Sequence, residues 1–251
     1  MKFQSRLVSG GSRVLAIIGS IIKVIEFDAE ELDVDKVTLS FNNPSLHPID
    51  LLLNSSDVEV LVSGAPWLEE RELELEGLGV LIHIRPSSAP SHGLRLRTVY
   101  ETLPRIVINL DSGILRKLSR TTTRSGVEFI ALYMEDGSLV LLEGDRYKVS
   151  IPSIEVLAAI HTHPEGACGF SRADVRSAVH ALTDLALFEA VVTPTCAFYM
   201  ARIGFLDESD FERLLNIEGD IATPMELATV KFEKLWLDNF NDYRMIHIDL
   251  Y

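Results

Sequence analysis

Short runs in which apolar and polar positions alternate dominate the first ninety residues. Val37-Thr38-Leu39-Ser40-Phe41 and Val58-Glu59-Val60-Leu61-Val62 alternate at the strand period. Arg71-Glu72-Leu73-Glu74-Leu75-Glu76 alternates charge with leucine, as a strand with one face in water does. Turn formers separate these runs: Asn42-Asn43-Pro44, Asn54-Ser55-Ser56-Asp57 and Ser63-Gly64-Ala65-Pro66. The spacing predicts a small β-sandwich or sheet domain, or a β-rich extension packed on the second half of the chain. Ahead of it, residues 14–25 are apolar but interrupted by Gly19, Ser20 and Lys23, and fall short of the ~20 residues of a membrane-spanning helix. Arg6 and Arg13 precede this run as in a signal peptide. No small-x-small cleavage site comes after it, however, and the chain turns acidic at Glu26, so the run reads as a buried strand or short helix, with secretion as the minor alternative.

Arg85-Pro86-Ser87-Ser88-Ala89-Pro90-Ser91-His92-Gly93 carries the residues of a linker, and closes a predicted β-rich N-terminal unit over residues 1–93. Residues 94–251 mix the two periods. Residues 105–110 read as a strand, with Asp111 or Ser112 capping a helix that runs through Leu118. Residues 128–134 and 138–142 read as a hairpin around Glu135-Asp136-Gly137, and residues 156–160 as an apolar strand. A helical stripe covers residues 174–188, with Val175, Ala178, Val179, Leu182, Leu185 and Ala186 three and four apart. Ala190-Val191-Val192 comes next as a strand. Thr223-Pro224-Met225-Glu226 then has the cap, first-turn proline and capping-box carboxylate of a C-terminal helix reaching about Asp238. The predicted class is α/β, mixed α+β.

Composition narrows the function. With 47% hydrophobic and 24% charged residues the chain of 251 residues is a folding sequence. Its 23 Lys+Arg stand against 37 Asp+Glu, a formal net charge of -14. No cluster of cations is available to displace counterions from phosphates, which argues against nucleic acid and against anionic membranes as partners. Cys168 and Cys196 are too few for a disulfide framework and are not a C-x-x-C pair. They read as two reduced thiols of an intracellular, cytoplasmic protein.

The stretch that carries chemistry is Ile160-His161-Thr162-His163-Pro164-Glu165-Gly166-Ala167-Cys168-Gly169-Phe170-Ser171-Arg172-Ala173-Asp174. On a strand, side chains two apart face the same way, so His161 and His163 project together with the spacing of two imidazoles on one metal ion. Pro164 forces the chain out of the sheet, and a loop with two glycines can return Ser171 and Asp174 to the histidines. Two imidazoles and one carboxylate leave a fourth tetrahedral position open, the composition of a catalytic zinc site. Each half has a blander reading. Ser171 and Asp174 match a helix cap, and a lone His-x-His pair can sit on a solvated strand face.

Taken together, His161, His163, Pro164, Ser171 and Asp174 resemble the signature of the JAMM (MPN+) zinc metalloproteases, His-x-His-Pro, six residues, then Ser-x-x-Asp. The upstream glutamate of that family corresponds to Glu128, at the start of an apolar strand after a helix, with Ala131 where a glycine is common. Val191-Val192-Thr193-Pro194 matches the strand and proline often found after the motif helix, and Cys168 stands where many eukaryotic members carry a cysteine. The resemblance covers roughly residues 100–200. It implies a JAMM/MPN domain, a mixed sheet flanked by helices, over residues 94–251, and one Zn2+ per chain on His161, His163 and Asp174. It further implies Glu128 as the base that takes a proton from the zinc-bound water and passes it to the leaving amine. Ser171 would donate a hydrogen bond to the oxyanion. The implied substrate is an amide or isopeptide bond at the C-terminus of a ubiquitin-like or sulfur-carrier protein. The short gap from Glu128 to His161 resembles prokaryotic members, without the insertion that eukaryotic deubiquitinating enzymes use to grip ubiquitin.

Two further readings stand beside it. One is a non-catalytic MPN scaffold, a class that usually lacks one or more ligands, and the other is a zinc hydrolase of small amides. Glu135 and Glu143 are the alternatives to Glu128 as base. Glu165 reads as an exposed loop carboxylate. His47, His83, His92, His180 and His247 have no ligand spacing, and Phe198, Tyr199 and Phe205 read as core. The acidic runs 26–35 and 69–76 read as solvated faces.

Overall fold

The computed structural model of the protein describes residues 2–27, 29, 32–41, 47–88, 93–144, 156–204, 206–217, 219 and 221–237. The chain begins with β1 (Lys2–Leu7), α1 (Gly10–Phe27), β2 (Thr38–Phe41), α2 (Pro48–Asn54), β3 (Asp57–Ser63), β4 (Arg71–Leu75), β5 (Val80–Ser87) and β6 (Leu94–Arg95). It continues through α3 (Leu96–Leu110), α4 (Ser112–Ser125), β7 (Phe129–Met134), β8 (Leu139–Glu143) and β9 (Val156–Thr162). Then come α5 (Arg172–Thr183), β10 (Phe188–Val192), β11 (Cys196–Arg202), α6 (Glu208–Leu215), β12 (Met225–Glu226) and β13 (Val230–Trp236). An eight-stranded mixed sheet has the order β1-β8-β7-β9-β10-β11-β13-β12, and a five-stranded one the order β4-β5-β3-β2-β6. The mixed α/β class is as expected.

The alternating runs form β2, β3 and β4, all in the smaller sheet. The boundary expected at residue 93 does not separate the two sheets, because β1 pairs antiparallel with β8 at the edge of the larger one. The apolar run ahead of the strands is α1, an 18-residue helix. Leu15, Ala16, Ile17, Ile21 and Ile25 on it are 0% exposed, and a helix apolar on most sides belongs inside the protein. It packs on α2, α3, β7 and β9, so residues 1–93 contribute to the core of the larger sheet. Among the described residues no helix is long and apolar enough to cross a membrane. Glu26, expected on a solvated face, instead lies buried in an ion pair with Arg202 of β11 at 2.9 Å.

Three local expectations give way to tertiary context. Arg85, Pro86 and Ser87 complete β5 and pair in parallel with Leu61, Val62 and Ser63, while residues 89–92 of the expected linker lie outside the described residues. The β-branched run 105–110 is the end of α3, where Leu103, Ile106 and Val107 continue the buried stripe of Leu96, Val99 and Tyr100 at helical spacing. The expected C-terminal helix over 223–238 is replaced by β12 and β13. Seven residues of β13 pair with β11, and Glu233 pairs with Arg105 of α3. An open strand edge satisfied along its length outweighs a local capping pattern. Asp111 is the N-cap residue of α4, but its carboxylate accepts from Ser9 Oγ at 2.6 Å and from the Gly11 N–H at 3.1 Å, anchoring the start of α1.

Candidate metal centre

The unit β9–α5–β10 carries the site. β9 and β10 are parallel neighbours, His161 pairing with Val191, and the backbone N–H of His163 donates to the Val192 carbonyl at 2.9 Å, extending the ladder past the strand end. Both histidines therefore leave the sheet on one face, at the carboxyl end of β9, where open α/β sheets present ligand sites. Pro164 ends the pairing. Gly166 turns the loop with φ +90, and Gly169 lets it lie against a second segment: a Cβ there would meet the Ile221 carbonyl oxygen at 2.2 Å. Phe170 and Ile221 exchange backbone hydrogen bonds at 2.7 and 2.6 Å. The loop then delivers Ser171 as the N-cap of α5.

Cys168 of this loop is joined to Cys196, the first residue of β11, by a disulfide. The expectation of two reduced thiols is therefore corrected. The pairing depends on the loop folding back over the sheet, which brings together two cysteines that lie 28 apart in sequence.

Nε2 of His161 lies 3.1 Å from Nε2 of His163 and 3.4 Å from Oδ1 of Asp174, and Nε2 of His163 lies 3.5 Å from Oδ2 of Asp174. Among the described residues, these three form the group whose ligand atoms, within 4.8 Å of one another, could hold a metal ion. The edges can be tested against a tetrahedral ion with bonds of ~2.0–2.1 Å, whose ligand atoms stand about 3.3–3.4 Å apart. The His161–His163 edge falls within about 0.3 Å of that value, and each imidazole has one oxygen of Asp174 at a similar distance, Oδ1 for His161 and Oδ2 for His163, so the donor set of two imidazoles and one carboxylate suits the ion. The outward nitrogens face oxygens. His163 Nδ1 lies 3.1 Å from the Ala167 carbonyl oxygen, and His161 Nδ1 lies 3.7 Å from Oε1 of Glu189 on β10. With the protons on Nδ1, both Nε2 lone pairs face inward.

Electrostatics tighten the cluster. Burial opposes ionisation of Asp174, but the hydrogen bond and charge of His161 outweigh it and hold the carboxyl down to about 2. Burial likewise lowers His161, yet Asp174 and the charges of Glu189 and Glu128 leave the imidazole above its ordinary value. Burial pushes Glu189 up to about 7, against the pull of His161.

Of the three candidate bases, Glu128 alone is brought to this group among the described residues. It immediately precedes β7, is half-exposed, and its Oε1 lies 4.0 Å from His163 Nε2. Glu135 pairs instead with Lys23 of α1 at 2.8 Å, and Glu143 lies at the end of β8. Ser171 and Asp174 form a capping box: the Asp174 N–H donates to Ser171 Oγ at 3.3 Å, and the Ser171 N–H donates to Asp174 Oδ2 at 2.7 Å. The capping reading of Ser171 thus holds, and the same bonds orient Asp174. Glu165 is exposed in the loop, its N–H donating to Thr123 Oγ1 at 3.1 Å.

The remaining histidines stay apart from the site. His47 caps α2, His83 faces Asp57 and Glu72 in the smaller sheet, and His180 is exposed on α5; His92 and His247 lie outside the described residues. Phe198 and Tyr199 are core, as expected, and Phe205 lies outside the described residues.

Sequence reasoning missed the structural parts of Thr162 and Glu189. Thr162 sits between the histidines on the opposite face and bonds to α4 and β7. Glu189 is a single carboxylate inside the apolar run Ala186-Leu187-Phe188-Glu189-Ala190-Val191-Val192, which is the signal that could have found it. No family model matches the chain, and no curated protein or solved structure proves similar to it.

Proposed function

We propose that the protein is a zinc-dependent peptidase or isopeptidase of the JAMM type, acting on an amide or isopeptide bond at the C-terminus of a ubiquitin-like or sulfur-carrier protein. The observation that supports this reading best is the spacing of 3.1, 3.4 and 3.5 Å among His161, His163 and Asp174, with Glu128 4.0 Å from His163. A divalent ion on such a set, one carboxylate and two imidazoles, supplies a Lewis acid and makes bound water acidic near neutrality.

The protein's own residues do the rest. Glu128, whose Oε1 lies 4.0 Å from His163 Nε2, would take the proton of the attacking water and return it to the leaving amine. Ser171 Oγ accepts one hydrogen bond, from the Asp174 N–H, and keeps its own proton for the oxygen on which negative charge develops.

The test is cleavage of a panel of ubiquitin-like fusions and isopeptide conjugates, run with zinc, with a chelator, and with Glu128→Gln. Chelator-sensitive cleavage that the variant lacks supports the proposal. A chain that binds no zinc, or a Glu128→Gln protein that cleaves at the wild-type rate, overturns it.

A further inference from the structure

Glu189, the second residue of β10, is 1% exposed. Its cross-strand neighbours are Ala159 of β9 and Met200 of β11, and Val191, Phe198 and Met200 belong to the cluster beneath α5. No lysine or arginine pairs with it among the described residues, and its Oε2 has no hydrogen-bond partner there. A carboxylate so placed is unfavourable for folding, because burial removes its water and nothing in the fold replaces it fully. The charges that reach it among the described residues are those of His161, whose Nδ1 lies 3.7 Å from Oε1, and of Asp174.

The strand pairing explains what the carboxylate faces. His161 Nε2 points at His163 and Asp174, so Nδ1 must point away from them, and β10 runs beside β9 with Glu189 and His161 on the same face. His163 has the corresponding arrangement, with a backbone carbonyl, that of Ala167, on its Nδ1. Each imidazole thus has an oxygen behind it, a backbone carbonyl at 3.1 Å for His163 and the Glu189 carboxyl at 3.7 Å for His161. A divalent ion with one carboxylate ligand leaves a positive charge uncompensated in a mostly buried place, and Glu189 lies directly behind the ligand that would share it.

We infer that Glu189 is a positioning residue for the metal centre: its carboxyl faces the Nδ1 side of His161, favours the ring orientation with Nε2 inward, and raises the affinity of the site for a divalent cation at the expense of the stability of the metal-free fold. The inference rests on the proposed metal centre and concerns a residue with no part in the His-x-His and Ser-x-x-Asp pattern. Partners of this kind behind ligating histidines typically change metal affinity ~10–100-fold.

The experiment titrates zinc against a competing chelator into the wild type, Glu189→Gln and Glu189→Leu, and follows thermal unfolding of each metal-free protein. Glu189→Leu should bind zinc about 10–100-fold more weakly, while Glu189→Gln, which keeps an oxygen acceptor, should lose less. The metal-free Glu189→Leu protein should unfold at the wild-type temperature or above it, because an apolar side chain replaces a buried carboxyl group whose Oε2 has no hydrogen-bond partner among the described residues. A purely structural role would move stability and affinity down together, with no rescue by Gln. That result, or wild-type zinc affinity in Glu189→Leu, overturns the inference alone. A wild type that binds no zinc overturns the metal centre itself, and the inference with it.

Discussion

Thr162 Oγ1 accepts a hydrogen bond from the Phe129 N–H at 2.8 Å and lies 2.5 Å from Thr122 Oγ1. It joins the residue between the two histidines to the first residue of β7 and to α4. Glu128 is the residue just before Phe129, so this bond sets where its backbone leaves the sheet. Thr162→Val keeps the shape but removes the acceptor from a buried N–H. It should lower stability by about 1–3 kcal/mol and slow turnover while zinc content stays at one per chain. Unchanged thermal unfolding and unchanged kcat would show that the bond positions nothing.

Removing a ligand and removing the base should separate cleanly. His163→Ala leaves one imidazole and one carboxylate, too few to hold zinc against a chelator, so metal content should fall towards zero. Glu128→Gln keeps all three ligands and should retain zinc with turnover lost. Metal analysis beside a cleavage assay reads both, and a zinc-free Glu128→Gln protein would make Glu128 a ligand and not a base.

Ser171 has two roles to distinguish, and the choice of variant does so. Ala removes the cap and the hydroxyl together, at about 0.5–2 kcal/mol of stability, whereas Gly at an N-cap costs only a few tenths. If Ser171 also steadies the developing oxyanion, both variants should lose roughly 10²–10³ in kcat. A Ser171→Gly protein of near wild-type stability and full activity would leave the hydroxyl as a cap alone.

Acidity should release the metal and favour the metal-free fold in the same range. The folded His161 titrates above its ordinary value: burial lowers it, and Asp174, Glu189 and Glu128 more than compensate. Its contribution to the stability of the metal-free protein is therefore complete below the unfolded imidazole value, ~6.5, and is lost as pH rises through the raised folded value. Ligation needs the neutral ring, so apparent zinc affinity should fall on acidification, beginning above ~6.5. Chelator competition between roughly pH 6 and 8 tests this, and a flat affinity across that range would contradict it.

The disulfide closes a loop spanning 28 positions that contains Ser171 and Asp174. Chain-entropy arguments assign such a closure roughly 3–4 kcal/mol. Reduction, or Cys196→Ser, should lower the unfolding temperature and weaken zinc binding, because the loop that returns Asp174 to the histidines is then held by the Phe170–Ile221 bridge and the capping box. A thiol count of the unfolded, unreduced protein should be zero, and two free thiols would refute the bond.

Residues close together along the chain impose their geometry on one another, and those parts of the protein were legible in its sequence. Strand alternation brought out β2, β3 and β4, and the two-residue spacing of His161 and His163 with the cap at Ser171 brought out the ligand set. These are contacts within a few residues or one strand–loop–helix turn, where side-chain period and rotamer direction suffice. Other parts were settled only by packing between distant segments. Residues 105–110 and 223–226 carried local patterns for a strand and a helix start, and became the end of α3 and the short strand β12, because buried stripes and unpaired strand edges are properties of neighbours far along the chain. Residues 1–27, read as the start of a β-rich unit or extension, supply an edge strand and a core helix to the larger sheet. Glu189 gained its meaning in the same way: well separated from His161 in sequence, it becomes the group behind that ring only when β10 is laid parallel to β9. A sequence can record that a carboxylate stands among apolar residues, but which charge it answers depends on the pairing of the strands.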